Sequence, residues 1–468
     1  MAPTPPKHIF STFFLVLLNI SVMVSLRNLP LIAEFGYGMV FFFVVTALLF
    51  FLPSSLISAE LATGWSTSSG GIYTWVKEAF GKRWGFLAIW LQWTHNFTWY
   101  STILTFIATT CAYTFNRHLA TSKGFIHAVV LTLFWGMTFF NYFGIKTSGL
   151  ISSIGVFAGT IIPGFFIIAL ACIWLLSGHP VQIPFTPSLL LPNLVRFDNL
   201  VFLAGLFLSF AGMEVTATYA KETKDPQRSY PRAIFLSVVI VLLLVVPGSL
   251  AIAVVIPPHE INLAAGLIET LRLYLTSYGL DALLPPLAIL LVFGAVAEIN
   301  SWLIGPIKAL HTTSMHGHLP PLFSYLNKHG MPTYLLLLQA IIVTTCSFII
   351  LWTPDISAAY WVLTATASQI YLLMYVIMFS AAIRLRYSHP EIRRPYRVPG
   401  GNVGMWIAGS CGIVASLFAF TVAFIPPVRF GTGNVLLYEG FLIAILVVII
   451  GIPFIISSFR NLNEDRSE

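Results

Sequence analysis

Arg27, Glu214 and Glu298 are ionisable residues set within or beside membrane-length apolar runs, where a charge is expensive and marks a candidate functional position. Each carboxylate can take up a proton in acid and release it near neutrality, or serve as one half of a fixed salt bridge. Arg27 keeps its charge at any relevant pH and needs a partner. Two arrangements meet that need and can alternate: the carboxylate of a ligand, or an ion pair with Glu34, Glu214 or Glu298. Trp302 lies one helical turn beyond Glu298 on the same face, positioned as a wall or gate, or as an ordinary packed aromatic.

The elements that carry these residues are interrupted. Val24-Ser25-Leu26-Arg27-Asn28-Leu29-Pro30 follows an apolar run from Ile9, and Ser209-Phe210-Ala211-Gly212-Met213-Glu214-Val215 follows one from Val201. Hydrocarbon offers no water to unpaired backbone, so such breaks persist where they line a cavity. A pair at matching places in two halves of a chain points to the central site of a secondary transporter. Half-helix N–H groups suit a carboxylate, and carbonyls at the other half-helix end suit an ammonium. Ser25, Leu26, Arg27 and Asn28, with Phe210, Ala211, Gly212 and Met213, supply these groups. Gly212 allows unwinding and close approach of a ligand; Gly155, Gly159 and Gly205 read as close helix packing.

The 468 residues are 57% hydrophobic and only 9% charged, which defines an integral membrane protein with a single membrane domain. Apolar runs predict twelve spans: 9–33, 38–62, 84–114, 124–143, 149–177, 199–221, 232–257, 283–310, 333–352, 358–386, 405–425 and 435–458. A cytoplasmic N-terminus leaves Arg117, Lys123, Arg196, Arg272 and Arg429 on the outer side and Arg27 in the membrane. The remaining Lys and Arg of the 24, including Lys7, Lys146, Lys221, Arg460 and Arg466, then lie on the cytoplasmic side with both termini. The first span reads as a retained helix, not a cleaved signal. Residues 259–278 repeat Leu263, Leu267, Leu271 and Leu275 at helical spacing, predicting a short external amphipathic helix, in one piece or two, placed to act as a lid. Cys111, Cys172, Cys346 and Cys411 form no CxxC pair and are expected as free thiols.

Span three carries Gln92, Thr94, His95 and Asn96; His95 reads as a neutral residue bonded between helices, or as a pH sensor. Span ten offers Thr364, Thr366, Ser368, Gln369, Tyr371 and Tyr375, some of which should line a pathway. His311, His316 and His318 read as a solvated loop group, so no metal and no cofactor is expected. The basic residues form no stripe, which excludes nucleic acid as a partner. HExxH, GxSxG and P-loop motifs are absent, arguing against an enzyme. Paired discontinuities favour a carrier over a sensor or channel.

The chain resembles the amino acid/polyamine/organocation transporters, most closely the bacterial glutamate/GABA antiporters. The matching stretches are Ala59-Glu60-Leu61-Ala62-Thr63, Gly70-Gly71-Ile72-Tyr73-Thr74-Trp75-Val76, Gly212-Met213-Glu214 with Glu222 and Tyr230-Pro231-Arg232-Ala233, Ile256-Pro257 with Glu260-Ile261-Asn262-Leu263, Ala297-Glu298-Ile299 with Ser301-Trp302, and Arg394-Pro395-Tyr396-Arg397-Val398-Pro399-Gly400-Gly401. The breaks lie five spans apart. With the resemblance, this implies an all-α LeuT-like 5+5 inverted repeat with discontinuous helices one and six, repeats at 9–177 and 199–386, and two appended helices at 405–458. The implied activity is alternating-access exchange of amino acids at a bacterial inner membrane, of glutamate/GABA type and pH-dependent, in functional pairing with a cytoplasmic decarboxylase. Proton-coupled amino acid or polyamine uptake is the alternative. Relatives can plug the cytoplasmic vestibule with a C-terminal tail; here only Asn461 to Glu468 follows the last predicted span. Arg27 and Asn28 stand where relatives commonly have uncharged, aromatic or acidic residues.

Overall fold

The computed structural model describes residues 11–66, 71–143, 154–183, 197–216, 223–315, 317, 319–427 and 435–464, with backbone alone at 197–199, 226, 304, 308 and 457–464. Lys7, Gly70, Lys146, Arg196, Lys221, Glu222, His316, His318, Arg429 and Arg466 lie outside the described residues, as does the side chain of Arg460. Among the described residues, 10 helices are long and apolar enough to cross a membrane, and they coincide with ten of the expected spans. Span three, Lys82–Phe115, is a continuous helix with a more polar sequence, because its Gln, Thr, Ser, His and Asn residues are buried against other helices. Span six is represented by the short helix Leu203–Ser209 and the irregular backbone after it.

Both interruptions are real. The first helix stops at Met23, Val24 and Ser25 are extended, and a single tight turn at Leu26–Asn28 leads into Leu29–Ala33. Pro30 occupies the second position of that last helix, where its missing N–H is no loss. In span six the helix ends at Ser209 and Gly212 takes φ 122°, a backbone that an L-residue rarely adopts. A Cβ at this position would lie 2.7 Å from the Val22 side chain and 3.2 Å from the Trp302 ring, so the two broken segments and span eight meet here at the closest possible approach.

Two spans also carry π-turns, a local widening common at functional sites: Ala47–Phe51 in span two and Phe157–Ile161 in span five. The first presents Phe51 to Phe210, and Phe43 in the helix before it also meets that ring, at 4.7 and 5.3 Å between ring centroids. The second lies where span five crosses span eight (Leu284–Met315). There Gly159 and Gly294 meet backbone to backbone, a Cβ on Gly159 falling 2.2 Å from the Gly294 nitrogen. Gly155 against Ala297 and Gly205 against Leu31 are equally tight, in keeping with their reading as packing glycines.

The external segment forms in two pieces, a turn at Pro258–Glu260 and a helix at Gly266–Ser277. Leu263, Leu267, Leu271 and Leu275 are buried, Gly266 sits against Pro30, and Thr109 of span three donates to the Ala264 carbonyl at 3.0 Å. This places the segment over the break in span one. On the opposite face, where span one begins (the near face), a short amphipathic helix Ile72–Phe80 precedes span three.

At the near face the Glu60 carboxylate accepts both Nε and Nη2 of Arg386 at 2.6 Å and the Val398 N–H at 2.8 Å, with Arg394 Nε at 3.4 Å. Arg394 also donates to the carbonyls of Leu385, His389 and Ile392. These buried side chains tie the end of span two to the end of span ten (Ile356–Ser388) and to the loop before span eleven (Gly401–Val422). Burial, then the nearby Glu60 charge, pushes the Tyr396 phenol up to about 12, so it stays neutral beside the cluster.

Candidate functional site

Arg27 is 1% exposed and enclosed by spans three and ten. Its Nη1 donates to Thr102 Oγ1 at 2.7 Å and to the Tyr360 hydroxyl at 2.9 Å, and that hydroxyl donates back to the Arg27 carbonyl. The Trp99 ring centroid lies 5.2 Å from the guanidinium carbon and the Tyr360 centroid 5.8 Å. The Nε and Nη2 atoms are buried without a hydrogen-bond partner, and no ion pair to Arg27 forms among the described residues. The expected pairing with Glu34, Glu214 or Glu298 is therefore not the arrangement found. The Nε and Nη2 hydrogens lie along one edge of the planar guanidinium, the fork that grips a carboxylate with two parallel bonds.

Glu298 accepts from Ser25 Oγ at 2.9 Å and lines, with Ser25, Leu26 and Arg27 of the first break, a small cavity of about 10 Å³ reaching Phe106, Thr160 and Leu291. Such a space holds about one water. Opposite charges thus border one small cavity without touching, and an amino acid can enter only if helices move. The Ser25 N–H has no acceptor among the described residues, whereas the Asn28 N–H is taken by the Ser25 carbonyl at 3.0 Å.

Glu214 is occupied differently. It accepts from Gln92 Nε2 at 3.0 Å, from the Tyr375 hydroxyl at 2.5 Å and from the Tyr371 hydroxyl, while Gly212 N–H donates to the Tyr375 hydroxyl at 2.7 Å. The carboxylate closes the span-six break against spans three and ten. Thr216 Oγ1 extends the closure to Asn19 at 2.8 Å, and Ser21 shares a 2.6 Å bond with Ser301. Phe210 packs into the aromatic cluster of span two, while Ala211 and Met213 are buried in the turn.

Trp302 lies between the two breaks. Its indole N–H donates to the Val22 carbonyl at 3.0 Å, one of the acceptors left over where the first helix stops, and its ring meets His95, Trp99 and Tyr371. Trp302→Phe retains the ring but strands a buried carbonyl, so it should destabilise the ligand-free protein by about 1–3 kcal/mol. An unchanged melting temperature for the purified variant would show that Val22 has another donor.

The structure selects among the polar candidates. Gln92, Tyr371 and Tyr375 belong to the Glu214 network; Thr364, Thr366 and Ser368 bond back to their own helix, and Gln369 donates to the Phe420 carbonyl. His95 bonds to the Gln92 carbonyl of its own helix at 2.7 Å, a correction to the expected bond between helices, and stacks on Tyr371 at 3.9 Å. Thr102, Trp99 and Tyr360 were missed. Their signal was the need of a buried Arg for acceptors and ring faces on neighbouring spans.

Broken helices meeting around buried charges among membrane-length helices define a polytopic membrane carrier. The chain belongs to the amino acid permease family, which matches residues 9–451, within the amino acid/polyamine/organocation superfamily. It is 41% identical over 449 residues to an uncharacterized transporter of Legionella pneumophila, covering 96% of each chain. It is 30% identical over 455 residues to a glutamate/gamma-aminobutyrate antiporter of Lactococcus lactis, covering 96% of this chain and 90% of that one. A probable agmatine/putrescine antiporter of the same species is 26% identical over 404 residues, covering 85% and 84% respectively.

Proposed function

We propose that this permease is an alternating-access amino acid antiporter of the glutamate/GABA kind, oriented with both termini in the cytoplasm of a bacterial inner membrane. One observation carries the reading: the unpartnered edge of Arg27 and the Ser25-bound carboxylate of Glu298 border the same small cavity at the first helix break. Arg27 then receives a substrate carboxylate, and Glu298 with free helix-end carbonyls receives the ammonium. The division into repeats at 9–177 and 199–386 with helices appended at 405–458 is part of this reading, as are pairing with a cytoplasmic decarboxylase and activity favoured by acid. The external segment serves as a lid over the Pro30 side of the site. The Glu214 network closes the other side.

The test is counterflow in proteoliposomes, with labelled glutamate outside and glutamate, GABA, arginine or nothing inside, at acidic and near-neutral pH. Uptake is expected only against internal glutamate or GABA, and more strongly in acid. Equal uptake into empty vesicles would replace exchange by proton-coupled uptake, and uptake driven by arginine alone would overturn the assignment of an acidic substrate.

A further inference from the structure

A second site lies away from the helix breaks, at the near-face end of spans ten and eleven. A groove of about 590 Å³ is walled by Phe80, Ile383, Ile413 and Trp406, with Arg384 and Tyr387 in the last turns of span ten. Ile413 is twelve residues into span eleven, about 18 Å from its start, so the groove runs from the interface well into the depth of the hydrocarbon. Trp406 and Tyr387, both at least half exposed, are joined by an indole N–H to hydroxyl bond of 2.9 Å. An aromatic pair of this kind belongs at the headgroup level of a bilayer.

The charged side chain that lines the groove, Arg384, is basic. Among the described residues no acidic residue lines the groove, and the Arg384 guanidinium rests on the Phe80 ring at 5.1 Å. Lys82 and Arg83 follow Phe80 after Gly81 and are exposed. The nearest acid along the short helix, Glu78, is engaged by Lys77 at 3.2 Å and His389 at 4.0 Å. We infer that this groove binds an anionic phospholipid, its phosphate on Arg384 and one acyl chain along Ile383 and Ile413. A basic pocket between membrane helices suits such a headgroup, and the apolar wall answers for its chain. A bound lipid would bridge spans ten and eleven beside the Glu60 cluster.

The test uses the full chain purified in a neutral detergent, with phosphatidylglycerol, phosphatidylcholine or inorganic phosphate added, read by native mass spectrometry for retained lipid and by thermal melting. Wild type is expected to retain phosphatidylglycerol in preference to phosphatidylcholine and to melt about 2 °C higher with it. Arg384→Gln should lower phosphatidylglycerol retention about fivefold, the loss of one interfacial cation, without changing phosphatidylcholine retention. Ile413→Trp, which fills the groove, should lower phosphatidylglycerol retention with Arg384 intact. Equal retention of the two lipids by wild type would overturn the inference, as would unchanged phosphatidylglycerol retention in either variant. The same melting shift from inorganic phosphate would assign the site to a free anion instead of a lipid.

Discussion

Arg27→Gln should lower the glutamate kcat/KM for counterflow roughly 10- to 150-fold, the value of about 1.5–3 kcal/mol for a hydrogen-bonded charged group. The loss should be at least as large for GABA, whose single carboxylate would use the same fork. Arg27→Lys should recover little, because an ammonium is a point charge without the planar fork. The experiment is clean because folding does not depend on the guanidinium's free edge: Nη1 alone contacts Thr102 and Tyr360, and glutamine can donate to one of them. Removing a buried, half-satisfied cation should leave the melting temperature equal or higher. A variant that transports glutamate as well as wild type would remove Arg27 from the substrate site.

The largest effect on stability is expected from Glu60→Gln. The substitution leaves Arg386 and Arg394 buried beside a neutral amide, and breaking a buried pair from one side costs about 3–5 kcal/mol. The Val398 N–H loses its charged acceptor as well. Arg394 keeps three carbonyl acceptors, so Arg386 is the more exposed to the loss. Combining Glu60→Gln with Arg386→Met should therefore cost less than the sum of the two single variants, a coupling that unfolding measurements on all three read directly. Strict additivity would show that Glu60 and Arg386 act independently despite their 2.6 Å contacts.

The broken helices were legible because hydrocarbon penalises Arg27, Pro30, Gly212 and Glu214 inside apolar runs; local sequence sufficed to locate both interruptions. Span boundaries followed from the same penalty, including span three, whose polar residues are tolerated because protein surrounds them. The partners of the buried charges were less legible. Ser25 reaches Glu298 across 273 positions and Glu60 reaches Arg386 across 326, and no local pattern encodes contacts of that reach. Glu60 was readable as part of a family motif, but its partners emerge only when spans two and ten meet. Glu214 was recognised as a buried carboxylate, while the three donors that occupy it had to be sorted from a longer list of polar residues on spans three and ten.

The bare contact between Gly159 and Gly294 has a mechanical consequence. Two helices that cross on side-chain ridges must lift out of one set of grooves to change their angle. Here the closest point carries no side chains and the next contact is one methyl, Ala297 against Gly155, so span eight can turn against span five about Gly294 as a pivot with little repacking. Lever length then sorts the residues beyond it. Glu298, one turn away, lies about 6 Å from the pivot, and Trp302, two turns away, about 12 Å. A rotation of roughly 10° would leave the glycines in place and carry Trp302 about 2 Å sideways, far enough to part its indole from the Val22 carbonyl, while Glu298 moves half as far.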